Sequence, residues 1–435
     1  MAWRENYSHS TKRQEEMKFT LPKDAFSPLT LSEKRQASIA TEAETVVLEA
    51  VAASERFINE GANVGHSAFK LVRARDGLRV YRQRKRSIHE REPPILLWSK
   101  ESENSSCRTY HSNESSHTWS SCSGVTGDSI MERMRPRGVA LLVLYGTIDG
   151  TLDDCMYGCV APTDEAWMLR SSHIKDRLDD ARILSTIQGP TCSEPFRFLG
   201  IKWFAKEIPL ALRGIVQQRD FVIIESIGCT HDSTGKRVGY MLMHSVTLKE
   251  VPELAQGGIV RGMLSFCFLF RQYGVNQIQT FGCGFFDTRG DVPSRLSVSM
   301  SAESAISCVD VVAYAYIKKL LWYMKHASTH ASMEGNQSRV GQCDACAKTF
   351  SKFSLTSSST GYSCHICRQV MCSKCSVAKN LTMDVSETGA YQQCSLRFCI
   401  RCLLAAKQQS SVELAISCLK ATSGSSTFVA PRKNN

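Results

Sequence analysis

Cys364-His-Ile-Cys367-Arg-Gln-Val-Met-Cys372-Ser-Lys-Cys375 is the stretch on which the reading of this chain turns. Two cysteines separated by two residues can point both sulfurs at one ion from about 2.3 Å, and two such pairs complete the tetrahedral shell that a structural zinc prefers. Further pairs, Cys343/Cys346 and Cys399/Cys402, lie on either side, so eight paired cysteines imply two Zn2+ ions. A disulfide framework is the competing reading, and it suits small secreted domains. Only four residues separate Cys367 from Cys372, whereas 17 and 23 residues flank the central pairs. The central pairs are too close to build separate knuckles, which favours a cross-brace. Cys343, Cys346, Cys372 and Cys375 then hold the first ion, and Cys364, Cys367, Cys399 and Cys402 the second. A segment this short buries too little apolar surface to fold alone. Each zinc supplies roughly 10–16 kcal/mol of apparent folding free energy at neutral pH.

The same run, with Phe350-Ser351 before it and Arg397-Phe398-Cys399-Ile-Arg-Cys402 at its close, resembles the FYVE zinc finger. That family binds phosphatidylinositol 3-phosphate on endosomal membranes through a basic cluster, Arg-Arg/Lys-His-His-Cys-Arg, and the arginine of a late Arg-Val-Cys element. The resemblance implies docking to endosomal or other anionic membranes, with His365, Arg397 and Lys352 as headgroup contacts. Gly361, Tyr362 and Ser363 stand where the family has basic residues, and the Trp-x-x-Asp element is missing from Ser338-Arg339-Val340-Gly341. A phosphomonoester needs several charge-assisted donors converging on it. A second reading therefore stays open, in which the finger is a scaffold for partner proteins and phosphoinositide binding is lost. A RING-type ubiquitin ligase ranks third, because RING fingers use a histidine among the middle ligands. Between the first two pairs, Phe353 and Leu355 beside Lys348 and Lys352 are candidates for insertion into the bilayer interface; packing on the zinc core is the alternative for both.

The 435 residues leave room for two or three domains, and 43% apolar with 22% charged residues is an ordinary globular balance. The formal charge is +11, and between Val340 and Ser410 eight lysines and arginines face three acidic residues. Such a basic surface gains on the order of 1 kcal/mol per Lys or Arg near an anionic leaflet; a solvated basic face is the competing explanation. Of 19 cysteines, eleven lie outside the metal pairs, a scatter that a reducing cytosol tolerates. Met1 to Thr20 has no apolar run of signal-peptide type, and no stretch reaches 18 apolar residues. The expectation is a cytoplasmic protein, peripheral on membranes where it docks.

Residues 1–30 show no sustained period and read as a mobile arm. From Ser32 to Asn59, Ile39, Ala43, Val46, Ala50 and Phe57 recur at helical steps. Alternation around Asp76-Gly77 signals a hairpin. Its arginines alternate with Leu78, Val80 and Tyr81, the pattern of an exposed strand face, so no nucleic acid partner is expected. Residues 101–124 form a Ser-rich insertion. After a buried strand near Val139 and two helical stretches, six runs of strand character follow between Ile183 and Asp287, separated by short turns, which implies an antiparallel sheet. Val298 to Met324 carries the apolar stripe of one long helix that needs a wide surface to cover.

That order is a helix-grip order, and the chain from about Phe69 to Met324 resembles the START lipid-binding domain. The carrying residues are Asp76-Gly-Leu-Arg-Val-Tyr81, Gln218-Arg-Asp-Phe-Val222, His244-Ser-Val246, Val260-Arg-Gly262 and the terminal helix. The resemblance implies a tunnel between sheet and helix for one lipid. Strand parity puts Phe221, Ile223, Glu225 and Ile227 on one face, making Glu225 a carboxylate among apolar neighbours that must be paired or protonated. Arg261 is the expected partner, and Glu225, Arg261, His244 and Phe221 are the candidate cavity residues. An edge position for Glu225 in contact with water, and a core role for His244, are the plainer alternatives. No nucleophile elbow, phosphate loop or paired-carboxylate signature is present in suitable context, so the expectation is a non-enzyme. The expected class is α+β. A helix-grip START-like domain (31–326) joins through a linker (327–339) to a small cross-brace two-zinc finger (340–406), followed by a flexible tail (407–435).

Overall fold

The computed structural model of the chain describes residues 19–22, 24–62, 64–65, 68–84, 129–174, 176, 178–208, 216–254, 258–327, 341–350, 361–385 and 391–424. The Ser-rich insertion, most of the N-terminal arm and of the linker, and Lys352, Phe353 and Leu355 lie outside these residues.

Helix α1 runs Glu33–Asn59. Ser32 caps it, its side chain accepting from the Arg35 N–H, and Ile39, Ala43, Val46, Val47, Val51 and Phe57 form its buried stripe. Strands β1 (Phe69–Arg75) and β2 (Leu78–Gln83) form the hairpin around Asp76-Gly77. Both turn residues have positive φ, 49° and 84°, as a two-residue turn matching the twist of its strands requires. After α2 (Ile130–Met134) and β3 (Leu142–Asp149) come α3 (Leu152–Cys159) and α4 (Asp164–Ile174). Seven strands follow: β4 (Leu178–Gln188), β5 (Phe198–Lys206), β6 (Arg219–His231), β7 (Arg237–Ser245), the short β8 (Val260–Arg261), β9 (Met263–Gln272) and β10 (Gln277–Asp287). The sheet order is β1-β2-β3-β10-β9-β7-β6-β5-β4, antiparallel throughout, with β8 alone pairing in parallel with β6.

Two apolar layers cover the sheet. On one face α1 packs against Leu199, Ile201, Trp203, Val222, Ile224 and Leu242. The opposite face, here the inner face, carries Phe198, Ile227, Met241, Phe266, Phe268 and Phe270 under α3 and the terminal helices. Full burial of each such phenylalanine contributes about 1.5–3 kcal/mol.

The expected single terminal helix is broken in two, α5 (Ser294–Ser307) and α6 (Val311–Ala327), with a single tight turn at Cys308–Asp310 and a bend of 42°. The Ile306 carbonyl at the break takes a side-chain donor. Arg75 of β1 supplies one, donating to Ile306 O at 2.9 Å and to Asp310 Oδ1 at 2.7 Å. A Cβ on Gly158 of α3 would lie 1.9 Å from Val311 O, so glycine is what allows α3 to meet the start of α6 backbone to backbone.

Beyond α6, β11 (Tyr362–Ser363) pairs with β12 (Val370–Met371) and β13 (Ser376–Val385) with β14 (Tyr391–Cys399). Helices α7 (Ile400–Gln408) and α8 (Ser411–Gly424) follow. The start of the expected flexible tail is therefore helical, and α8 buries Leu414 and Ala415 against the core that α3 and α6 share. No single helix among the described residues is long and apolar enough to cross a membrane.

Candidate functional sites: paired metal centres and a buried ionic cluster

The eight paired cysteines gather as two groups of four, Cys343, Cys346, Cys372 and Cys375, and Cys364, Cys367, Cys399 and Cys402. Within each group the sulfurs lie within 4.8 Å of one another, which is the interleaved grouping. The local backbone explains how. Each upstream pair sits on a tight knuckle: the Ala347 N–H donates to Cys343 O at 2.8 Å and the Arg368 N–H to Cys364 O at 3.0 Å. Ala347 and Arg368 have φ of 55° and 62°, the left-handed conformation that closes such a turn. Amide donors converge on the sulfurs, from Cys372 N to Cys343 Sγ, Cys399 N to Cys364 Sγ and Cys402 N to Cys399 Sγ, each at 3.3 Å. Cys399 also caps α7, so a thiolate there meets the positive end of the helix. Four sulfurs with N–H donors behind them fit a tetrahedral Zn2+ and stabilise the charge that ligation needs.

The finger's apolar core is small. Met371, Leu381, Leu396, Phe398 and Ala406 are buried there with the cysteines, and Leu320 and Met324 of α6 complete it. Polar contacts reinforce the seam. The Thr382 N–H donates to His173 Nε2 at 3.3 Å, and Ser172 Oγ and Thr382 Oγ1 are 2.9 Å apart. Burial holds the His173 pKa down to about 4, so the ring is neutral at pH 7 and Nε2 can accept. It stacks on Tyr314 at 5.6 Å. Below it, Lys319 Nζ reaches Asp154 Oδ1 at 2.5 Å and Lys407 O at 3.1 Å, while Ser411 Oγ donates to Asp154 Oδ1 at 2.6 Å. Burial opposes the Asp154 charge, but the donors from Lys319 and Ser411 keep its carboxyl below the usual range.

Of the proposed headgroup residues, Lys352 lies outside the described residues, while His365 and Arg397 meet, half-buried and engaged with their neighbours. The His365 N–H donates to Arg397 O at 3.0 Å, Arg397 Nη1 donates to Ser376 Oγ at 3.2 Å, and the guanidinium stacks 3.7 Å above the Tyr362 ring. Burial lowers the His365 pKa, which leaves that ring neutral at pH 7.

On the sheet, Glu225 is buried on the inner face beside Phe221 and Ile223, which share its strand face. Its partners are not Arg261 but Arg170 of α4, at 3.2 Å, and Lys202 of β5. Arg261 lies at the short strand β8 and binds Asp220 through two nitrogens at 2.8 and 2.9 Å; residues 220 and 222 alternate away from Glu225, toward α1. His244 is on that α1 face too, hydrogen-bonded to Ser265 Oγ at 2.8 Å and 3.3 Å from Glu42. Two of the four expected cavity residues, Arg261 and His244, are thus on the wrong side of the sheet, for the reason strand parity gives.

The cations around Glu225 have a second role. Arg170 donates to Cys159 O, Lys202 to Ala161 O at 3.0 Å, and Lys318 of α6 to Tyr157 O at 2.7 Å. Arg170 and Lys318 donate to the C-terminal carbonyls of α3, where the helix dipole is negative, and Lys202 to the chain just beyond. Burial lowers Lys202 and Lys318 to pKa values of about 8; Glu225 counters the effect at Lys202. At Arg170 burial also opposes the charge, but Glu225, Asp176 and Cys159 together outweigh it and hold the guanidinium above its ordinary value. Lys202 Nζ lies 4.4 Å from the ring centres of both Trp167 and Phe198. Two donors of this cluster, Trp167 Nε1 and Arg170 Nε, have no hydrogen-bond acceptor among the described residues. Beside it, Ile183, Met243 and Phe286 touch both inner clusters yet stay only half-buried.

Sequence reasoning missed Arg170, Trp167 and Lys318. Lys202 carried a signal, a lysine in the otherwise apolar run Phe198-Leu-Gly-Ile-Lys-Trp-Phe204.

No protein-family model matches the chain, and no curated protein does. Among solved structures, human STARD10 is similar at 11% identity and a TM-score of 0.36, over 71% of this chain and 90% of its own. Human StAR-related lipid transfer protein 5 is similar at 14% identity and a TM-score of 0.37, over 64% of this chain and 97% of its own. A STAR-related lipid transfer protein from Xanthomonas axonopodis aligns at 11% identity and a TM-score of 0.33, over 57% and 98%.

Proposed function

We propose that this chain is a non-catalytic lipid-binding protein, in which a START-like domain takes one lipid on its inner face and a FYVE-related two-zinc finger gives it its place in the cell. The observation that carries the reading is the buried cluster of Arg170, Glu225, Lys202 and Trp167 beside the half-buried Ile183, Met243 and Phe286. Buried donors without acceptors are costly, and a lipid offers what both parts lack: an oxygen for Trp167 Nε1 and Arg170 Nε, and an apolar body for the half-buried seam. Shells of four sulfurs make the metals structural. The test is uptake from vesicles carrying a fluorescent phospholipid or a fluorescent sterol. The full chain takes up one molecule of one of them, and Arg170→Met lowers uptake about tenfold to a hundredfold, the loss of a charged hydrogen bond of roughly 1.5–3 kcal/mol. Uptake of neither lipid, or uptake indifferent to Arg170, removes the reading.

For the finger, one observation favours the adaptor over the phosphoinositide reader: the single matching arginine, Arg397, is already engaged by Tyr362 and Ser376. Docking to an anionic membrane then rests on the basic surface of Lys348, Arg368, Lys374, Lys379 and Arg401 rather than on a pocket. Flotation with vesicles containing phosphatidylinositol 3-phosphate, against vesicles of equal charge without it, separates the two. Equal binding is expected; a strong preference that Arg397→Glu abolishes restores the endosomal reader.

A further inference from the structure

Helix α6 belongs to two interiors. Its first half places Val311, Val312, Tyr314 and Ala315 in the core with α3 and the sheet, while Leu320 and Met324 lie in the finger's core among the metal-binding cysteines. Consecutive lysines divide the polar contacts. Lys318 joins Arg170 and Lys202 at the end of α3, whereas Lys319 bridges Asp154 to the carbonyl of Lys407 at the end of α7. That helix is capped by Cys399 and contains Cys402, two of the cysteines of the second group. A continuous set of contacts therefore runs from the second metal site through α7 and Lys319 to α6, and one residue earlier into the ionic cluster.

We infer that the metal-loaded finger is an intramolecular latch that holds α6 down over the inner face, so that losing metal loosens α6 and speeds release of the guest. The release step rests on the lipid reading above; the latch does not. The physical reason is the make-up of the finger's core. Five of its buried residues are cysteines, and too little apolar surface remains to keep the finger folded once the sulfurs lose their ions. Leu320 and Met324 then lose their partners together with the Lys319 contact to the Lys407 carbonyl, and α6 keeps its contacts to α3, α4 and α8.

Hydrogen exchange on the full chain, before and after both ions are stripped by a chelator, tests this. Amides in the 317–326 half of α6 should exchange roughly tenfold faster or more after stripping, while those of Ile223 and Ile224 in β6 keep their protection. Unchanged exchange in α6 after both ions have left overturns the latch, and so does a uniform loss that includes β6. A second arm loads the chain with a fluorescent lipid and adds the chelator, with release expected to quicken about tenfold in step with α6. Release unaffected while α6 loosens overturns the coupling to the guest. Failure of the metal-loaded chain to hold any lipid removes the lipid reading instead, and the exchange result still decides the latch.

Discussion

The sheet domain and the finger stabilise their interiors in opposite ways. The sheet buries long apolar strands on both faces, so its charged cluster at Glu225 is an exception inside a large hydrophobic volume. The finger has few apolar side chains of its own, depends on sulfur and metal, and takes two core residues from its neighbour's last helix. The difference teaches where each is vulnerable: the sheet to an unmatched charge, the finger to the loss of a ligand.

The sharpest break falls on the finger. Cys399→Ser removes a ligand of the second site and the sulfur that caps α7. Metal content by elemental analysis should fall from two ions to one, with loss of most of the roughly 10–16 kcal/mol that one zinc contributes, and proteolysis should open residues 361–408. In the sheet, Glu225→Gln leaves Arg170 and Lys202 buried without a carboxylate and should cost about 3–5 kcal/mol in urea unfolding. If that substitution proves neutral, Arg170 and Lys202 do not depend on the Glu225 carboxylate.

Between the two regions, Leu320→Ala should destabilise by about 2–5 kcal/mol. It should also lower metal affinity, since the residue belongs to the finger's core; an effect on only one of the two would show that the interiors are separate. The smallest effect is a pH dependence at His173. Its folded pKa of about 4 lies below the ordinary 6.5, so the unfolded chain takes up a proton first as pH falls between those values. The stabilisation is full above 6.5 and lost on the way down to about 4. Thermal melts should show the wild type losing its advantage over His173→Asn between pH 7 and pH 5, with the two curves parallel if His173 is not neutral in the fold.

Much of the architecture could be read from local pattern. The helical steps from Ile39 to Phe57, the Asp76-Gly77 turn and the spacing of the cysteine pairs each have one sterically sensible solution, and the elements formed there. Parity in β6 placed Phe221 and Glu225 on a common face for the same reason. What escaped depended on contacts far apart in the chain. The partner of Glu225 comes from α4, packed on the sheet beside β4, which no strand pattern encodes, so Arg261 was the expected partner and Arg170 was missed. The break in the terminal helix is sealed by Arg75, more than two hundred residues away, and the apolar stripe continues through it unaltered. The docking of the finger was invisible because Leu320 and Met324 satisfy the same helical period whichever core they enter.

Native mass spectrometry of the purified full chain tests the central claim most directly. The account predicts one dominant species whose mass exceeds that of the polypeptide by two zinc ions and a single lipid. A chain that carries no zinc, or one that carries both ions yet no guest after exposure to a total lipid extract, would contradict it.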